Sequence, residues 1–223
     1  MEDFKEIYRN RFLDRFENNF ETYQAYFEYE KKINEKSLKN LSTLNSVIIQ
    51  NLENLILENY ISSIVITSHL LEKFCKLVIV VDNMLGSFLT DEDYNEKINN
   101  AYHFDDKVLE NTIAKMKSLK LITDGETKVL DKLRKEMRNP FGHSETLKIT
   151  KKYPSQIEAY HANILDPTKL TKVNLNTKST FLKSEQIELE AKRKASSYFK
   201  QLMSIIVNVD NNLSKKAAYK INK

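Results

Sequence analysis

The most chemically capable stretch of this chain is ten residues long, Arg134 to His143, reading Arg-Lys-Glu-Met-Arg-Asn-Pro-Phe-Gly-His. Arginine keeps its charge and offers a planar fork of donors that fits carboxylate or phosphate oxygens. Histidine titrates near neutral pH and suits proton transfer. Pro140 lacks a backbone N–H and disfavours helical geometry at Asn139, so the preceding helix is predicted to stop there. Gly142 permits a positive φ and a sharp turn straight afterwards. Arg138 would then lie on a last helical turn with His143 just beyond it, close enough to act on one group. The plain alternative is a basic residue complementing a helix dipole beside a chemically idle histidine.

Several amphipathic segments must position these residues. Thr123-Asp124-Gly125-Glu126 reads as a capping box. It opens the helix that turns Val129, Leu130, Leu133 and Met137 inward and carries Arg138 to its end. A helix from Asp105 to about Leu121 precedes it, with Val108, Leu109, Ile113, Met116 and Leu119 on its core face. A shorter one is predicted from Thr90 to about Tyr102. Further upstream, Asn59 is a candidate N-cap for a very apolar helix from Tyr60 to about Asn83, lined by Ile61, Ile64, Val65, Leu71, Phe74, Cys75, Val78 and Ile79. Ser68, His69, Glu72 and Lys76 form a polar strip along it. Glu72 and Lys76, one turn apart, read either as a surface ion pair or as a carboxylate facing a partner.

Ser37 is a candidate cap for an earlier helix that buries Leu38, Leu41, Leu44, Ile48, Leu52 and Leu55 and breaks near Glu58 and Asn59. Residues 2 to about 33 read as one long amphipathic helix with Phe4, Tyr8, Phe12, Phe16, Phe20, Tyr23 and Phe27 in a drifting stripe. Such a face calls for burial, against the domain or a second subunit. Residues 144–183 break any sustained period and read as an irregular excursion, with a short helix near Ser155–Ile164. Ser184 starts the last helix, which runs to about Asn212 with Leu189, Ala195, Phe199, Leu202, Ile205, Ile206 and Val209 facing the core. A lysine-rich tail frays after it.

Composition narrows the class. With three Gly, three Pro and 41% apolar residues in 223, the chain reads as all-α with a sizeable core. Its single cysteine, Cys75, excludes a disulfide framework and a Cys-based zinc site and fits a reducing cytoplasm. The acidic start, Met1-Glu2-Asp3-Phe4, lacks an apolar signal-peptide region. Ser68, His69, Glu72, Lys73 and Lys76 interrupt the longest apolar stretch, Ile61 to Val81, so no membrane partner is expected. Residues 144–223 are net +8 and the rest net −4. That basic third suits a polyanion such as RNA, or is a solvated lysine-rich surface. Three parts are expected. They are an aromatic arm at 1–35 for packing or dimerisation, a helical bundle at 36–213 with a basic insertion at 144–183, and a basic tail at 214–223.

Three stretches resemble one family. Asn59-Tyr60-Ile61-Ser62-Ser63-Ile64 through Leu70-Leu71-Glu72-Lys73-Phe74 looks like the acid-bearing second core helix of HEPN domains. The helix pair joined around Leu121–Glu126 looks like the next two helices. Arg138-Asn139-Pro140-Phe141-Gly142-His143 is similar to the family's R-x4-H signature, including a polar residue directly after the arginine. The resemblance spans roughly Leu38 to His143 plus the last helix. The N-terminal helix and the 144–183 excursion lie outside the family's common core.

The resemblance implies a HEPN-like helical bundle, commonly a homodimer, in which one R-x4-H motif from each subunit forms a composite ribonuclease site without metal or other cofactor. Such domains serve in toxin–antitoxin, abortive-infection and CRISPR-linked defence, and others are silent modules that bind a partner protein, RNA or nucleotide. In the catalytic version, the RNA's own 2′-hydroxyl attacks the phosphate. His143 would move protons and Arg138 would hold phosphate oxygens. Asn139 would orient the histidine or bond a phosphate, and Glu72 would fix Arg138 or His143. Lys148, Lys151 and Lys152 follow closely and would carry RNA phosphates. His69, His103 and His161 have no comparable setting, with His69 the nearest to one because it lies one turn before Glu72. The sequence contains no Gly-rich phosphate loop, HExxH or clustered carboxylate motif.

Overall fold

Leucine- and isoleucine-rich stripes at helical spacing account for most of the architecture. The computed structural model describes residues 4–30, 37–85, 108–142, 146–163, 166–177 and 179–221. The expected helix at Thr90–Tyr102, the start of the next at Asp105, and His103 and His143 lie outside these residues. In chain order the described elements are α1 (Phe4–Phe27), two 3-10 turns (Glu28–Glu30 and Ser42–Leu44), α2 (Asn45–Ile56), α3 (Tyr60–Met84), α4 (Leu109–Ser118), α5 (Asp124–Leu133), a π-helical turn (Arg134–Arg138), α6 (Asn139–Gly142) and α7 (Thr146–Thr150). The strands β1 (Gln156–Asn163) and β2 (Asp166–Asn176) follow, then α8 (Thr180–Ile221). The fold is mostly helical, with one two-stranded hairpin.

The apolar helices α3 and α8 form the central pair; α2 and α4 flank α3, and the π turn and α6 also pack on α3. Ile64, Leu71, Phe74, Val78 and Ile79 of α3 meet Ala195, Phe199, Leu202, Ile206 and Val209 of α8 in one buried core. Four residues expected in that core, Val108, Leu189, Val65 and Ile61, are exposed. Val108 is the residue before α4, while Leu189 and Val65 lie at the flanks of their helical stripes.

The chain leaves the predicted helix at Leu38–Leu41 for a long-range reason. Asp210 of α8, almost wholly buried, accepts the backbone N–H groups of Lys39 (2.9 Å), Asn40 (2.8 Å) and Leu41 (2.9 Å). Those donors are satisfied outside any helix, so α2 begins only at Asn45. The predicted break follows α2. Glu58 adopts φ 60°, and the Asn59 N–H reaches the Asn54 carbonyl at 2.8 Å, a Schellman-type stop. Asn59 occupies the N-cap position of α3 without a side-chain cap bond. The same motif ends α4 early, at Lys120 (φ 57°).

The aromatic helix α1 divides in two. Tyr23 is buried and Phe20, Tyr26 and Phe27 pack on the core, with Tyr26 edge-on to Phe199 at 5.4 Å. Arg15 and Asn19 donate to the Leu57 and Ile56 carbonyls at the end of α2. Tyr8, Phe12 and Phe16 are exposed, so the expected burial covers only the second half of the stripe in the described chain.

The excursion after the motif is not irregular, and the helix predicted near Ser155–Ile164 is a strand. Ile157 and Ala159 alternate with Gln156, Glu158 and Tyr160 and pair antiparallel with Leu175 and Val173, so the period is two. Thr177 closes the hairpin by donating its N–H to the Ser155 carbonyl at 3.0 Å. The last helix also exceeds its prediction, running 42 residues to Ile221. Most of the expected tail continues it, because Leu213 is buried and Lys216 forms an ion pair with the buried Asp82 of α3.

Candidate functional site

The capping box at Thr123 and Glu126 is formed: Glu126 N–H donates to Thr123 Oγ1 at 3.1 Å and Thr123 N–H to Glu126 Oε2 at 2.8 Å. It fixes the start of α5, and Leu130, Leu133 and Met137, all fully buried, fix its rotation. The helix does not stop at Asn139 as Pro140 predicts. It widens into the π turn instead, where the Asn139 N–H reaches back five residues to the Arg134 carbonyl. A wide turn absorbs an extra residue and relieves the clash a proline ring makes with the carbonyl four positions earlier. Asn139 stays helical, Pro140 is buried, and the chain continues to Gly142.

This turn aims Arg138 at α3. One Arg138 guanidinium nitrogen lies 3.8 Å from Glu72 Oε2, and Nη1 donates to Asn139 Oδ1 at 3.4 Å. Glu72 also pairs with Lys76 at 3.4 Å, so both readings of this acid hold at once. The Arg138 and Glu72 side chains are 32% and 33% exposed. At that exposure the pair adds at most about 1 kcal/mol to stability. Its main effect is to limit where the guanidinium points. Val65, His69 and Glu72 follow one another at steps of four and three along α3, and Val65 and His69 are open to solvent. The arginine therefore sits at the edge of an accessible face.

The other arginine of the stretch is engaged differently. Arg134 is held by Asp131 Oδ1 at 2.7 Å and by a Glu110 carboxylate oxygen at 3.1 Å, which ties α5 to α4. These contacts hold the Asp131 carboxyl below the usual range, the Lys135 hydrogen bond first and that of Arg134 second. Glu136, between the two arginines, accepts from the buried Tyr198 hydroxyl of α8 at 3.1 Å. Burial, reinforced by that carboxylate, pushes the Tyr198 hydroxyl well above its ordinary pKa.

The three lysines predicted to carry phosphate divide. Lys152 forms an ion pair with Glu190 of α8, whose side chain is 2% exposed and which Arg193 (2.8 Å) and Lys194 (3.4 Å) also hold. Burial alone would raise the Glu190 carboxyl, but the Lys152 and Arg193 hydrogen bonds and the Lys194 charge outweigh it and keep it low. The charge of Lys152 is thus committed inside the protein. Lys148, which makes an interaction of its own, and Lys151 line a cleft of about 380 Å³ together with Lys183, Tyr153, Thr177 and Gln186. Because α7 packs on α6, this cleft lies one short helix from the motif.

Sequence reasoning did not find Asp210, Glu190 or Gln186. Each is a polar residue on the otherwise apolar face of the last helix, and a carboxylate at a core position signals a hidden partner. Cys75 is buried, which pushes its thiol up and removes it as a nucleophile. No group of three or more His, Cys, Asp or Glu residues suited to a metal occurs among the described residues. No described helix is long and apolar enough to cross a membrane. No protein-family model, curated protein or solved structure matches the chain.

Proposed function

We propose that this chain is a metal-independent endoribonuclease of the HEPN type, acting as a homodimer. One observation carries the reading. Arg138 of the R-x4-H stretch is aimed by a π turn onto the acid-bearing helix and braced by Glu72 and Asn139 at the edge of an open face. A two-fold interface across the Val65–His69–Glu72 face would bring two such arginines to one phosphate. The 2′-oxygen forms a bond to phosphorus while the bond from phosphorus to the 5′-oxygen breaks. One His143 takes the 2′-hydroxyl proton and its counterpart protonates the departing oxygen. Arg138 neutralises the charge on the pentacovalent phosphate. The products are a 2′,3′-cyclic phosphate and a 5′-hydroxyl. A cytoplasmic role in antiphage defence, or as a toxin held by an antitoxin, accords with the same resemblance.

The decisive experiment incubates purified protein with labelled RNA in EDTA, beside His143→Ala and Arg138→Ala proteins of unchanged circular dichroism. Wild type should cut and leave cyclic phosphate ends, and both variants should be inactive. Undiminished cutting by either variant overturns the reading. A second reading, a binding module without catalysis, draws on the lysine-lined cleft, and is favoured if RNA is bound but never cut.

A further inference from the structure

The cleft between α7, the base of the hairpin and α8 is more than a cluster of surface lysines. It is lined by Lys148, Lys151, Lys183 and Tyr153, whose ring centroid lies 5.2 Å from the Lys152 ammonium and whose hydroxyl donates to Glu190 at 3.5 Å. Lining it is Gln186, 8% exposed, whose carboxamide makes no hydrogen bond to any described residue. Its amide atoms are not among the buried unmatched ones, so they open to the cleft and offer a donor and an acceptor to a ligand there. Nearby, Glu190 lies one turn beyond Gln186 on α8, but Lys152, Arg193 and Lys194 neutralise it. Lys151 and Lys183 therefore set positive charge beside an amide and an aromatic ring. A volume of about 380 Å³ is at the small end of ligand sites, suited to one nucleotide and not to a longer segment.

We propose that this cleft is a subsite for a single nucleotide unit. Lys151 and Lys183 hold its phosphate, the Tyr153 ring packs on the base, and the Gln186 amide bonds the base edge. The unit comes from a single-stranded stretch of RNA or from a free nucleotide. This deepens the ribonuclease reading by giving the substrate a recognised base beside the cleavage site, but binding here does not require catalysis.

The test is binding in EDTA by full-length His143→Ala protein, which removes cleavage from the measurement. The probes are fluorescent six-nucleotide homopolymers of each base, the four nucleoside monophosphates, and inorganic phosphate. Each is titrated with the further single variants Gln186→Leu and Lys183→Ala. One base should bind at least tenfold tighter than the weakest, and Gln186→Leu should erase that preference while leaving the salt dependence unchanged. Lys183→Ala should lower affinity for every base alike and reduce the salt slope by about 0.7. Binding of oligonucleotides but not of mononucleotides identifies the RNA source, and binding of both identifies the free nucleotide. Inorganic phosphate binding as tightly as any nucleotide overturns the proposal, as does affinity unmoved by both variants. Should Gln186→Leu fail to fold, base preference kept in Gln186→Glu protein overturns it equally. RNA that binds with base preference here, yet is left uncut by the wild-type protein in EDTA, refutes the ribonuclease reading alone.

Discussion

Replacing Asp210 by Ala tests the long-range anchor that sets where α2 begins. The carboxylate accepts three backbone donors, from Lys39, Asn40 and Leu41, at 2.8–2.9 Å. Leu41 is fully buried and Lys39 is exposed, so solvent can replace the bond to Lys39 but not that to Leu41. A buried donor left unmatched costs about 1–3 kcal/mol, and a bond to a charged group that water partly replaces is worth about 1–1.5 kcal/mol net. With Asn40 between these cases, the three together predict a loss of roughly 3–5 kcal/mol. The Asn40 side chain, which donates to the Asp210 carbonyl (3.1 Å) and to Ser214 Oγ (2.8 Å), survives the substitution and keeps the segment nearby. Asp210→Asn retains one acceptor oxygen and should lose about half as much. Urea unfolding followed by circular dichroism measures both, with the slope checked for two-state behaviour. A loss under about 1 kcal/mol for Asp210→Ala would refute the idea that this carboxylate holds the segment out of helix.

Other consequences are open to measurement. Lys120→Gly should stabilise the protein by about 0.5–1 kcal/mol in urea unfolding, because a left-handed backbone no longer carries a side chain. Glu190 has its carboxyl held low in the fold, so it stabilises above the ordinary carboxylate range and that contribution is lost as pH falls through the folded value. The difference in thermal midpoint between wild type and Glu190→Gln should therefore be large at about pH 7 and shrink towards about pH 3; a gap that widens in acid contradicts the assignment. Glu72→Gln should shift stability by less than about 1 kcal/mol, yet reduce RNA cleavage roughly 10–100-fold through kcat, since it frees the aim of Arg138. Equal cleavage rates would show that Glu72 does not position the arginine. Val65→Arg should give a monomer by light scattering with an unchanged melting curve, and a persistent dimer would place the interface elsewhere.

Features written within one or two turns of sequence are readable. The capping box at Thr123–Glu126 needs four residues, and the break near Glu58 shows as a lapse in apolar spacing. Features set by distant chain are not. Nothing near Leu38 reveals that a carboxylate about 170 positions later will take its neighbours' N–H groups. Pro140 reads by its local rule as a helix end, and a π turn upstream relaxes that rule. The hairpin is hard to see because Ile157 and Ala159 give a faint alternation among polar neighbours. Within the site, residue types flag Arg138 and Glu72 but cannot give their separation. Charge alone also cannot show that Lys152 is spent on Glu190 while Lys148 and Lys151 line a cleft.

The π turn makes the direction of Arg138 a matter of counting. Each residue removed from an α-helix rotates the chain beyond it by about 100°. Deleting Lys135, an exposed residue of that turn, would let the helix close into ordinary α geometry and would put Pro140 back against the carbonyl it now avoids. An inserted residue, with the wide turn already taken up, would instead turn the downstream segment about a quarter of the way around the helix. Arg138 is therefore sensitive to insertions and deletions as well as to substitutions. A chain could keep both the arginine and its glutamate, residue for residue, and lose their meeting through a change of length by one.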